Sequence, residues 1–298
     1  GSSFGNGVSA GDVNGDGFDD VIVGGFGADP NGDLSGSSYV VFGRASGFDA
    51  ALDLSELDGQ SGFRLDGEGA QDLSGSSVSN AGDVNGDGFD DVLVSARRLI
   101  LNDDDPNVID AMFGSTYVVF GQASGFDAAM NLSGLNGSNG FRLDVKEYNG
   151  SVSPQVSTAG DVNGDGFDDV IIGISANGDS KYSYSYVVFG KASGFDATMD
   201  LSSLNGGNGF RVEGEGFPKT SNLGSSVSSA GDINGDGFDD VIIGADYGRN
   251  DTSFVLFGKA SGFDATLNVS SLDGTNGFRL ASSEYGYGYP GGSVSNAG

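Results

Sequence analysis

The residues best equipped for chemistry are the nine from Asp12 to Asp20, Asp-Val-Asn-Gly-Asp-Gly-Phe-Asp-Asp. They place oxygen-bearing side chains at positions 1, 3, 5 and 9 and glycines at positions 4 and 6. The glycines allow a tight bend, so the four side chains can face one point. Oxygen donors on a flexible loop suit calcium, a hard cation that takes about six to eight oxygens, better than magnesium, which demands near-ideal octahedral geometry and keeps its water. The expected ligands are Asp12, Asn14, Asp16, the Phe18 carbonyl and Asp20. The motif returns at residues 83 to 91, 161 to 169 and 232 to 240. The second set is Asp83, Asn85, Asp87, Phe89 and Asp91; the third is Asp161, Asn163, Asp165, Phe167 and Asp169; the fourth is Asp232, Asn234, Asp236, Phe238 and Asp240. One copy reads equally well as a polar turn. Four copies in register hold more carboxylates than a turn requires, and the expectation is four calcium sites.

These loops are not EF-hands, because position 12 holds Val23, Val94, Ile172 or Ile243 where a bidentate glutamate is needed. A short β-branched run such as Asp20-Val21-Ile22-Val23-Gly24 follows each loop and reads as a strand, so the loop joins two strands. In the first repeat the strands are expected at 4–11, 19–24, 38–43 and 62–66, here called a, b, c and d. Strands b and c are continuously apolar, which implies sheets covered on both faces. Strand d, as in Phe63-Arg64-Leu65, alternates, which suits an outer strand with one face near solvent. With no helical period to supply a covering layer, small sheets must cover one another. The fold class expected is all-β: a β-propeller-type array of four four-stranded blades plus an extra C-terminal strand, with the calcium loop between a and b.

From Asp12 to Asp83, Asp161 and Asp232 the intervals are 71, 78 and 71 residues, a fixed spacing that marks a repeat architecture. The whole of 1–298 is therefore read as one array, with repeats at approximately 1–71, 72–149, 150–220 and 221–290, and 291–298 as the start of a fifth. Between c and d each repeat carries Ala-Ser-Gly-Phe-Asp-Ala, whose Phe48, Phe126, Phe195 and Phe263 are expected to pin the connection to the blade. Arg64, Arg142, Arg211 and Arg279 recur on strand d and are expected to pair with acidic residues of the same or next blade. The first strand a lacks the residue that Asn80, Thr158 and Ser229 supply before the alanine, a one-residue difference that calls for a bulge.

Composition narrows the function. The chain holds 42 acidic and 13 basic residues, a formal net charge of −29, which argues against nucleic acid as a partner. Four divalent ions would reduce that charge to about −21. With no Cys there is neither a disulfide framework nor a thiol metal site. With no His or Cys the usual catalytic bases and thiol nucleophiles are missing. Glu68, Glu147, Glu213 and Glu215 fall between d and a without a spacing that singles out an acid and its partner. No apolar run of about 18 residues and no leader pattern occurs, so neither membrane insertion nor a signal peptide is expected.

The Asp-x-Asn-x-Asp-Gly-x-x-Asp loop followed by an apolar strand, repeated along essentially the whole chain, resembles the FG-GAP repeats of the integrin alpha-chain propeller and of large secreted bacterial proteins. That resemblance implies calcium bound between the first two strands of each blade, through the twenty positions named above. It also implies a non-enzymatic extracellular module, secreted or at the cell surface, used for adhesion or structure. Its partners would be a protein or glycan ligand on the cell surface or matrix. The alternative is a carbohydrate-binding propeller that uses Tyr182-Ser183-Tyr184-Ser185-Tyr186 and Tyr285-Gly286-Tyr287-Gly288-Tyr289 as stacking platforms. Residues 292–298 repeat the strand a segment Ser76–Gly82 at all but its first position, so self-association through terminal strands, or membership of a longer array, is also expected.

Overall fold

The structure, a computed structural model, describes residues 8–101, 109–145, 151–177, 183–214, 222–246, 252–281 and 292–295. The first repeat forms β1 (Val8–Gly11), β2 (Asp20–Gly25), β3 (Ser37–Val41) and β4 (Gly62–Asp66). The second forms β5 (Val78–Gly82), β6 (Asp91–Leu101), β7 (Ile109–Val119), the short β8 (Ala129–Asn131) and β9 (Gly140–Asp144). The third forms β10 (Ser151–Gly160), β11 (Asp169–Asn177), β12 (Tyr184–Val188), β13 (Thr198–Asp200) and β14 (Gly209–Glu213). The fourth forms β15 (Asn222–Gly231), β16 (Asp240–Asp246), β17 (Thr252–Leu256), β18 (Thr266–Asn268) and β19 (Gly277–Ala281).

Strands a, b, c and d pair antiparallel in that order within each repeat, so the four meander blades are present as expected. The blades are not self-contained. The short strand between c and d leaves its own blade and adds in parallel to strand d of the preceding one: β8 on β4, β13 on β9 and β18 on β14. The sheets therefore hold five, five, five and four strands. A single 3-10 turn follows each added strand, capped by Asn131, Asp200 or Asn268, whose side chain accepts the N–H two residues on. In the first three blades d is therefore not the edge of its sheet, but its alternation holds: Phe63 and Leu65 are fully buried, while Arg64 between them stays partly exposed.

The hydrophobic cores lie between sheets. Val13, Ile22, Val40 and Phe63 of the first blade close on Val92, Val94, Tyr117 and Phe126 of the second, and equivalent clusters join the second to the third and the third to the fourth. Alternate residues of strand b supply the two sides, Leu93 facing forward and Val92 back, which is why b reads as a continuous apolar run. At each junction three phenylalanines meet. Phe126 stacks on Phe63 at 4.5 Å and meets Phe42 at 5.4 Å; Phe195 does the same to Phe141 and Phe120, and Phe263 to Phe210 and Phe189. The recurring phenylalanine thus pins its connection to the preceding blade, except Phe48, which is exposed with the Arg44 guanidinium over its ring.

The residue missing from the first strand a proves to be a bulge present in the other three. Register shifts fall between Asn80 and Gly82, Thr158 and Gly160, and Ser229 and Gly231, whereas β1 pairs with β2 without interruption. Residues 292–295 form no strand, and the rest of the expected C-terminal strand lies outside the described residues. In the second repeat strands b and c are longer, β6 pairing with β7 from Val92 and Val119 out to Leu101 and Ile109, and Arg98 of β6 lies 3.6 Å from Asp72. Among the described residues no helix is long and apolar enough to cross a membrane.

Candidate metal centres

All four loops take one conformation, and their own amides explain it. The first aspartate accepts N–H groups of positions 5 and 6: Asp12 Oδ1 from Asp16 at 3.0 Å and Oδ2 from Gly17 at 2.9 Å, likewise Asp83, Asp161 and Asp232, the last two also accepting the position 4 N–H at 2.7 Å. Asn14, Asn85, Asn163 and Asn234 accept the position 5 N–H on their amide oxygen, and Asp16, Asp87, Asp165 and Asp236 accept the position 7 N–H on a carboxylate oxygen. The backbone so wound needs positive φ at the position 4 and 6 glycines, near +70° to +91° throughout.

The position 9 aspartates do something different. Asp20, Asp91, Asp169 and Asp240 are buried at the start of strand b and clasp two amides each. Asp91 Oδ2 accepts from Val84 at 3.0 Å and Oδ1 from Gly121 at 2.9 Å, so one carboxylate ties its own loop to the end of strand c. The other three make the same pair of bonds. Burial is costly for a charge, and the like charges of the first and fifth positions add to the cost. Together they outweigh the two amides and push Asp91 and Asp169 up to about 8 and Asp20 to about 6, with Asp240 also raised.

Among the described residues no group of three or more acidic side chains is gathered as a ready metal site. The donor set nevertheless fits a hard divalent cation. At positions 1, 3, 5 and 9 each loop offers three carboxylates and an amide oxygen, and it holds no basic residue. An ionised carboxylate offers about four lone-pair sites, so one that accepts two amides keeps others for a metal. A cation near the position 9 carboxylate would also offset the burial and, secondarily, the repulsion that raise its pKa.

The position 8 aspartates turn out of their own loops. Asp90 Oδ2 accepts the Asp12 N–H at 2.8 Å while the Asp90 N–H donates to the Asp12 carbonyl at 3.1 Å; Asp168 grips Asp83, and Asp239 grips Asp161, in the same way. The ring of the position 7 phenylalanine lies over the position 4 glycine of the preceding loop, where a Cβ on Gly15, Gly86 or Gly164 would meet Phe89, Phe167 or Phe238 at 2.4 Å or less. This reciprocal lock between loops was missed in the sequence, although the recurring Asp-Asp doublet and Phe are its signal.

Other expected sites resolve less favourably. Tyr186 is buried and meets Tyr184 edge-on, and Tyr184 lies under the Arg211 guanidinium, so neither ring is an open platform. Tyr182 and the cluster at 285–289 lie outside the described residues. Arg64 pairs with Asp66, Arg211 with Glu213, and Arg142 with both Asp144 and Glu68 of the preceding repeat, as expected for strand d. Arg279 has Ala281 where the others have an acid. Glu68 and Glu213 are thus committed to arginines, while Glu147 and Glu215 lie outside the described residues.

Comparison with known proteins agrees with this geometry. A family model for the FG-GAP repeat matches residues 4–41, 74–105, 154–188 and 223–257, each segment carrying strand a, the aspartate loop and strand b. The chain is 28% identical over 258 residues to integrin alpha-5 of Xenopus laevis, covering 87% of this chain and 21% of that one. It is 29% identical over 231 residues to integrin alpha-IIb of Homo sapiens, covering 77% and 20%. It is 30% identical over 175 residues to integrin alpha-4 of Xenopus laevis, covering 58% and 14%. The chain spans about a fifth or less of the length of these relatives. It is a fourfold array of FG-GAP repeats, related in sequence to integrin alpha chains.

Proposed function

We propose that residues 1–298 form one calcium-stabilised, non-enzymatic module for extracellular adhesion or structure, divided into repeats at approximately 1–71, 72–149, 150–220 and 221–290. The observation that carries this reading is the fourfold return of one loop that combines a buried position 9 aspartate with aspartates at positions 1 and 5, an asparagine at position 3 and no basic residue. Calcium would take oxygens from positions 1, 3, 5 and 9 and from the position 7 carbonyls of Phe18, Phe89, Phe167 and Phe238. It would supply the positive charge the loops lack. Sites of extracellular type have dissociation constants of about 10⁻⁴–10⁻³ M, which suits a secreted or cell-surface setting. The likeness to integrin alpha chains supports a protein partner, and self-association is part of the proposal.

Calcium titration by calorimetry tests the reading. The expected stoichiometry is four ions per chain, with a matching rise in melting temperature. Binding to the native state alone stabilises by RT ln(1 + [L]/Kd), roughly 5–6 kcal/mol for four sites at ten times Kd. No heat of binding, together with a melting temperature indifferent to chelator, would falsify it.

A further inference from the structure

Residues 89 to 91 serve two loops at once. The Phe89 carbonyl and the Asp91 carboxylate stand in the second loop's own donor set, whereas the Phe89 ring and Asp90 reach the first loop. The ring covers Gly15, and Asp90 holds Asp12 through both its backbone groups: Oδ2 accepts the Asp12 N–H at 2.8 Å, and the Asp90 N–H donates to the Asp12 carbonyl at 3.1 Å. A residue lying between two donors of one loop thus fixes the backbone of the position 1 donor in the loop before. Asp168 does the same for Asp83, and Asp239 for Asp161.

A second strap joins the same loops. Asp91 Oδ1 accepts the Gly121 N–H at 2.9 Å, the adjoining Gln122 N–H donates to the Val13 carbonyl at 3.0 Å, and the Val13 N–H donates to Asp20 Oδ2 at 2.9 Å. Three hydrogen bonds and two short pieces of backbone therefore lie between successive position 9 carboxylates. Asp169 is tied to Asp91 through Gly190, Lys191 and Val84, and Asp240 to Asp169 through Gly258, Lys259 and Val162. The four buried aspartates stand in one hydrogen-bonded series. The approach needs a glycine, because a Cβ on Gly121 would meet the Asp90 and Val13 carbonyl oxygens at 2.4 and 2.7 Å.

We propose that Asp90, Asp168 and Asp239 are positioning residues for the metal site of the preceding loop, and that through them and the strap the affinity of each site depends on the occupancy of its neighbours. The inference rests on the calcium reading above and adds the regulation of those sites. Freedom already lost is not lost again on binding, so a loop whose position 1 backbone is held beforehand binds more tightly. Ordering of residues 89–91 in a filled second site fixes Asp90, and Asp90 fixes Asp12. Linkage makes the dependence mutual, since the first site must then favour the second by the same factor. The array fills as a set, over a narrower range of calcium concentration than four independent sites would.

Calcium titration followed by peptide-resolved hydrogen exchange reads the four loops separately, because they lie far apart in sequence. Asp90→Ala removes a charge and the acceptor for the Asp12 N–H, whereas Asp90→Asn removes the same charge and keeps an acceptor oxygen. Asp90→Ala is expected to raise the midpoint for residues 12–20 by about fivefold or more, the lower end of ordinary coupling between sites. Asp90→Asn is expected to leave that midpoint close to wild type, and residues 232–240 to stay unmoved in both. Equal shifts in the two variants, or none in either, overturn the positioning role. Where Asp90→Ala fails to fold, Asp168→Ala read at residues 83–91 takes its place. Asp87→Ala, which disables the second site, tests the coupling and should raise the midpoints of residues 12–20 and 161–169. Electrostatics alone demands the reverse, because a loop short of one carboxylate and of its divalent ion is more negative than the filled wild-type loop. Midpoints that fall or hold overturn the coupling. Protection that grows with calcium in all four loops but ignores these variants sinks this inference alone; no calcium-dependent protection in any loop sinks the metal reading with it.

Discussion

At the scale of the residue, the position 9 aspartates set how the array responds to pH. Asp91 and Asp169 are pushed up to about 8 in the metal-free fold, mainly by burial and further by their acidic neighbours. Unfolded, they titrate near about 4. Between those values the folded state binds more protons than the unfolded one, so these two groups make the metal-free chain less stable as pH rises through that window. Asp91→Asn removes one such proton. Urea unfolding of the metal-free chain at about pH 5 and about pH 8 should show the pH slope reduced by up to about 1.4 kcal/mol per unit. Saturating calcium should invert the trend in the wild type, because the ion binds the ionised carboxylates and competes with protons. An unchanged slope in the variant would mean that Asp91 is already ionised in the metal-free fold.

At the scale of the element, the loop glycines separate backbone geometry from the junction. Gly86 and Gly235 have nearly the same φ, +73° and +75°, so alanine at either site carries the same left-handed penalty of about 1–2 kcal/mol. Among the described residues a ring meets the new methyl at Gly86, Phe167 at 2.3 Å, and none does at Gly235. Gly86→Ala should therefore cost clearly more than Gly235→Ala in denaturant midpoint, and equal costs would show that Phe167 moves aside freely. The comparison also marks what could be read from sequence. The Asp-Asn-Asp spacing and the apolar runs located the loops and strands a to d, because those signals are local. The glycine at position 4 looked like turn chemistry alone, since its covering ring lies on the next repeat. The parallel strand Ala129–Asn131 was not found, because three residues show no period and its pairing with Arg64–Asp66 is decided by the neighbouring blade. The bulge opposite Asp91 was anticipated from a single extra residue, but as an oddity of the first repeat when it belongs to the other three.

At the scale of the molecule, stability resides in the junctions. Phe126→Ala removes the ring stacked on Phe63 and should cost about 3–5 kcal/mol, whereas Phe48→Ala, the same residue of the same motif, should fall within about 0.5 kcal/mol of wild type under dilute conditions. Comparable losses at both sites would overturn the assignment of Phe48 to an open face. Three internal junctions built from the same parts also make each repeat interchangeable in principle, because stability is approximately a sum of unit and nearest-neighbour contributions. The lock runs one way, from Asp90, Asp168 and Asp239 back to the loop before. A tandem duplication of one interior repeat would carry its own key and its own keyhole, and would meet unaltered partners on both sides. Such a chain can therefore lengthen by copying errors alone, with no compensating substitution needed at the seam.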